Sequence, residues 1–134
     1  MCAEATVAEK ATEAELAELR EVFRRRYNVT PANADHATLL RMIEDEFKGG
    51  LTTTVEPFPE DDKQFLALLA EIRQLDPDQL REKLIQSGWL LAPWGPDEMR
   101  CQECVYFLVH KRWCDLPELA LPAEPDWYCR LWRI

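Results

Sequence analysis

Four cysteines fall in the last third of this 134-residue chain: Cys101, Cys104, Cys114 and Cys129, spaced C-x2-C-x9-C-x14-C. They constrain the fold more than any other feature, because the segment that carries them is a poor candidate for folding unaided. From about Asp97 to Ile134 the chain offers one strand pattern, residues 105–109. It is otherwise broken by Pro117, Pro122 and Pro125. A stretch this short and irregular buries too little apolar surface to offset the entropy of ordering it. Four thiolates around a metal would supply the missing organisation. Their number and kind suit one tetrahedral zinc or one four-iron cluster.

Ahead of that segment the chain reads as helical. Thr12 and Glu15 form a T-x-x-E capping box, and Leu16, Leu19, Val22 and Phe23 recur at helical spacing to about Tyr27. Arg24, Arg25 and Arg26 close that helix, where cations suit the dipole. A loop containing Pro31 follows. A second helix is predicted from Asp35 to Lys48, with Leu39, Leu40, Met42, Ile43 and Phe47 on its apolar face and Gly49-Gly50 at its end. Residues 51–58 read as extended. Pro59 is predicted to open a third helix that buries Phe65, Leu66, Leu69 and Ile72. Asp76, Pro77 and Gln79 predict the start of a fourth, which buries Leu80, Leu84 and Ile85 and stops at Gly88.

The predicted fold is therefore mainly α: a small bundle of about four short helices with an irregular C-terminal Cys-rich metal-binding module. It divides into a flexible N-terminus (1–11), an acidic helical bundle (12–88), a Trp/Pro linker (89–97) and a four-Cys module (98–134). Trp89 and Trp94 are expected to plug the seam between bundle and tail. No apolar run approaches the roughly 20 residues of a membrane span, and the N-terminus is polar and acidic, unlike a signal peptide. A cytoplasmic location is the expectation. Cysteines stay reduced there, which favours metal over disulfides.

Several occupants suit the four cysteines. A zinc site is one, although only Cys101 and Cys104 form a C-x2-C knuckle. A variant would draw on His110, reading Cys101, Cys104, His110 and Cys114 as C-x2-C-x5-H-x3-C, one residue out of register from the zinc knuckles of RNA-binding proteins that it otherwise resembles. An iron–sulfur cluster is another, since an aromatic shell shields a cluster and tunes it. Two disulfides and four buried core thiols complete the set. The run from Cys101-x2-Cys104-Val-Tyr-Phe through Cys114 to Trp127-Tyr-Cys129-Arg-Leu-Trp132 resembles the cluster-binding part of high-potential iron–sulfur proteins. That resemblance spans residues 101–132 and implies that Cys101, Cys104, Cys114 and Cys129 are all ligands of a [4Fe-4S] cluster. The helical body has no counterpart in that family.

Charge narrows the function. Residues 1–99 hold 11 Lys/Arg against 20 Asp/Glu, while residues 100–134 hold five of each, so the net charge of −9 belongs to the front part. That argues against a nucleic-acid binder with a general basic surface. There is no phosphate loop, no G-x-S-x-G elbow and no H-E-x-x-H, and no catalytic residue is assigned. Glu103 reads as a solvated turn residue, and His36 and His110 have no nucleophile to pair with. The acidic groups Asp61-Asp62 and Glu44-Asp45-Glu46 read as solvated helix faces. The expected role is a non-catalytic accessory or adaptor protein that binds a protein partner and carries a [4Fe-4S] cluster or Zn2+. Two alternatives stand beside it: an iron–sulfur electron-transfer protein, and an acidic nucleic-acid mimic of the kind phages and plasmids encode.

Overall fold

Capping chemistry sets the helices. In the computed structural model, which describes residues 10–134, Thr12 Oγ1 accepts the Glu15 backbone N–H at 3.2 Å and Glu15 Oε1 accepts that of Thr12 at 2.8 Å. This reciprocal pair satisfies two donors that a helix start leaves open. Helix α1 runs Glu13–Tyr27 and ends at Asn28, which takes the left-handed conformation at φ 70°. Leu16 and Phe23 are buried, but Val22 is 57% exposed, contrary to its expected place on the apolar face. One residue is about 100° of helix, so Val22 stands off the stripe that Phe23 defines. The segment 1–11, expected to be flexible, lies outside the described residues except for Lys10 and Ala11; with it lies Cys2, the fifth cysteine of the chain, read from the sequence as a thiol unrelated to the other four.

A short 3-10 turn, Pro31–Asn33, leads to α2, His36–Lys48. Asp35 caps α2 by accepting the Thr38 N–H at 2.9 Å, and Leu39, Met42 and Ile43 form its buried stripe. Helix α3 runs Asp62–Arg73, starting later than Pro59. Asp61 is its cap, accepting the Gln64 N–H at 2.8 Å. Pro59 is held outside the helix because its carbonyl accepts from Arg133 Nη2 at 3.1 Å. Leu66 is 60% exposed and Leu68 is buried in its stead, the same 100° displacement from Phe65.

Helix α4 is Leu80–Gln86, so the start predicted at Asp76 also moves. The Asp76 N–H does donate to Gln79 Oε1 at 2.8 Å. Asp76 Oδ1, however, takes the Asp78 N–H at 2.9 Å, and the Asp78 carboxylate is drawn to Arg20 Nε at 2.6 Å and the Ala32 N–H at 2.9 Å. Residues 76–79 therefore close a tight turn ahead of the helix. Gly88 ends α4 at φ 64°; a Cβ there would lie 2.5 Å from Arg130 Cγ and 2.6 Å from Thr54 O. Glycine is needed because α4, the strap 51–59 and the end of the chain cross at that point.

The tail is more regular than expected. Strands β1 (Phe107–Leu108), β2 (Trp113–Cys114) and β3 (Leu121–Pro122) form an antiparallel meander in that order. Phe107 pairs with Cys114, and Cys114 with Leu121. The strand predicted over 105–109 shortens at its start, because the Val105 N–H is taken by Arg133 O at 2.7 Å and that of Phe107 by Cys104 O at 3.1 Å.

One hydrophobic cluster joins Met42, Ile43, Ile72 and Leu84 of the helices to Leu119, Leu121, Trp127 and Leu131 of the tail, and α2 lies against β3. Trp89, 1% exposed, meets Trp127 edge to face with ring centres 6.1 Å apart. Trp94 stacks on Tyr128 at 5.4 Å, so both tryptophans sit where segment 89–97 meets the tail. Among the described residues no helix is long and apolar enough to cross a membrane.

Candidate functional site

Cys101 opens a 3-10 turn, Cys101–Glu103, and Cys104 closes it with its N–H on Cys101 O at 2.8 Å. The two-residue spacing thus becomes a knuckle that turns both side chains to one side. Its position is fixed from afar: the Cys101 N–H donates to Trp127 O at 2.7 Å and that of Gln102 to Pro125 O at 3.0 Å. Cys114 arrives on the central strand β2. Cys129 follows Tyr128, whose backbone exchanges two hydrogen bonds with Leu90, at 2.7 and 2.9 Å. Trp132 Nε1 then donates to Arg100 O at 2.8 Å, tying the chain end to the knuckle.

These three segments bring Cys101, Cys104, Cys114 and Cys129 to the wall of one cavity. Trp89, Tyr106, Phe107, Leu116, Leu131 and Trp132 complete the lining. All four cysteines are free thiols; Cys101, Cys114 and Cys129 are buried and Cys104 is half-buried. The space left between them, ≈ 10 Å³, is about the least that admits a water, and its apolar walls offer a water no adequate set of partners. Among the described residues no group of three or more His, Cys, Asp or Glu side chains is gathered so that it could hold a metal ion. The four thiols share the wall of the cavity without converging on a point.

Burial dominates the electrostatics. It pushes the Cys114 thiol up to about 12, with Cys104 adding to it and a backbone hydrogen bond at Leu116 opposing. Cys101 and Cys129 are driven up by burial first and then by the charge each would meet on its cysteine neighbours. Left alone, these three are neutral thiols at physiological pH. A cation among them would reverse that, and binding would release protons.

Several residues weighed from the sequence stand elsewhere. His110 is exposed in the turn between β1 and β2 and does not line the cavity. His36 instead joins α2 to that turn, with Nε2 3.0 Å from Arg112 O and its ring 6.1 Å from that of Trp113. Glu103 is exposed and paired with Arg100 at 3.2 Å. Asp45 accepts the Tyr27 hydroxyl at 2.8 Å, Glu46 pairs with Arg81 at 2.8 Å, and Asp61 caps α3; these carboxylates brace the helices. Trp89 belongs to the cavity wall as well as to the seam. No spacing marks it as such, since it precedes the first of the four cysteines by a loop. Its indole Nε1 is buried without an acceptor.

Compared with protein-family models, with curated proteins and with solved structures, the chain matches none.

Proposed function

We propose that Cys101, Cys104, Cys114 and Cys129 hold a [4Fe-4S] cluster that organises the tail, and that the protein is a non-catalytic accessory subunit that binds a protein partner. The observation that carries the reading is the meeting of four reduced cysteines, from three separate segments, around one apolar, aromatic-walled cavity. The donor set fits a soft metal. A tetrahedral zinc draws its sulfurs to about 2.3 Å from a single point, whereas a cluster binds four sulfurs that stand apart. A cluster also needs more room than ≈ 10 Å³. The wall formed by Cys104, Tyr106 and Trp132 is only half-buried and is the side on which the cavity would have to widen.

Anaerobic purification with iron, sulfide and zinc analysis tests this. The expected result is a brown protein with about four irons per chain. A colourless protein with about one zinc replaces the cluster with a structural clip, and a metal-free protein with all its cysteines as free thiols overturns the metal reading. The partner reading predicts a stable complex that DNA does not displace. Displacement by DNA, with steep salt dependence, would instead favour the nucleic-acid mimic. An electron carrier is the second reading, favoured by the half-buried edge at Cys104, and it predicts a reversible one-electron signal.

A further inference from the structure

Beside the end of α4 lies a second cavity, of ≈ 350 Å³, within the size range of small-molecule sites. The strap 51–59, α3 and Arg130 enclose it. Pro57, Phe58 and Leu68 give it an apolar wall, and Arg130 and Glu71 give it opposite charges. Arg130 is 8% exposed. Its Nη1 donates to Pro57 O at 3.0 Å and its Nη2 to Gln86 O at 2.9 Å, which hold the guanidinium in place. Yet Arg130 Nε is buried without an acceptor, and Glu71 Oε1 is buried without a donor. Glu71 is near enough to offset part of what burial costs the Arg130 cation, but the two do not bond to each other. An arginine and a carboxylate that line one roomy, partly apolar cavity without bonding to each other are what a site for a dipolar ligand looks like without its ligand.

We propose that this cavity binds a small zwitterion of the α-amino-acid class. Its carboxylate pairs with Arg130, its ammonium with Glu71, and its apolar side chain lies against Pro57, Phe58 and Leu68. One molecule then meets both charges of the cavity wall, and the charge-assisted bonds it forms are the strong kind. The site is independent of any metal at the cysteines.

Calorimetric titration of the full chain with L-leucine and L-phenylalanine tests it, with leucine methyl ester and N-acetyl-leucine as controls that each remove one charge. Saturable binding of a free amino acid is expected, weakened at least about tenfold in each derivative. Glu71→Gln should weaken the free amino acid to a similar degree while leaving the metal content of the protein unchanged. Absence of saturable binding by either amino acid overturns the proposal. So does binding of the ester and the N-acetyl derivative as tightly as the parent, or indifference to Glu71→Gln.

Discussion

The helical half and the tail of this protein are specified in opposite ways. In the helices the deciding contacts are local: Thr12 with Glu15, Asp35 with Thr38, Asp61 with Gln64, each three residues apart. In the tail they are remote: Cys101 with Trp127, Val105 with Arg133, Leu90 with Tyr128. Its strands are two residues long, too short to stand by themselves. The contrast teaches that the tail depends on whatever draws its ends together, whereas the helices need only a face to bury.

The largest effect is expected from Cys104→Ser or Cys129→Ser. Either should abolish metal binding and loosen residues 97–134, while circular dichroism retains most of the signal of α1 to α4. Full metal content in both variants would show that the four-ligand site is wrong. Replacing Cys2 should leave metal content unchanged.

Trp89→Ala removes the fully buried indole at the seam, with an expected cost of about 3–5 kcal/mol. Because one core cluster spans helices and tail, urea denaturation should show both regions unfolding in one transition at lower midpoint. Two separate transitions would break the comparison the other way, making the halves independent.

Asp78→Asn tests a remote contact within the helical half, between Asp78 and Arg20 and Ala32. Burial alone would push the Asp78 carboxyl up, but the Arg20 guanidinium, the Ala32 N–H and Thr30 together hold it below its ordinary value of 3.8. A carboxyl held low in the folded state stabilises above that ordinary value, and its contribution is lost as pH falls through the lowered one. The substitution should cost about 1.5–3 kcal/mol at neutral pH, the range for hydrogen bonds to a charged group. It should also flatten the loss of stability below pH 3.8. An unchanged acid limb would remove Asp78 from the explanation.

The smallest effect sharpens the local side. Thr12→Ala deletes one half of an exposed capping box and should cost about 1 kcal/mol. In hydrogen exchange it should appear as faster opening of the first turn of α1 with no change in the tail.

Legibility followed the same divide. Helices α1 and α2 were readable because their caps and stripes lie within a few residues of one another. The starts of α3 and α4 were misplaced where a remote arginine, Arg133 at Pro59 and Arg20 at Asp78, pulled the first turn out of helical register. Val22 and Leu66 looked inward because apolarity alone does not say which adjacent residue owns the stripe. The three-stranded meander was hidden because its pairs of residues carry no alternation to detect.

By itself the sequence determined a mainly helical, acidic body, its capping points, and four cysteines in a segment with little regular patterning. These follow from short-range chemistry and composition. Only the tertiary structure decided that the four cysteines share one cavity, that Trp89 walls it, and that Arg130 and Glu71 face a second. Those juxtapositions join residues up to dozens of positions apart, and only chain crossings such as the one Gly88 permits bring them together.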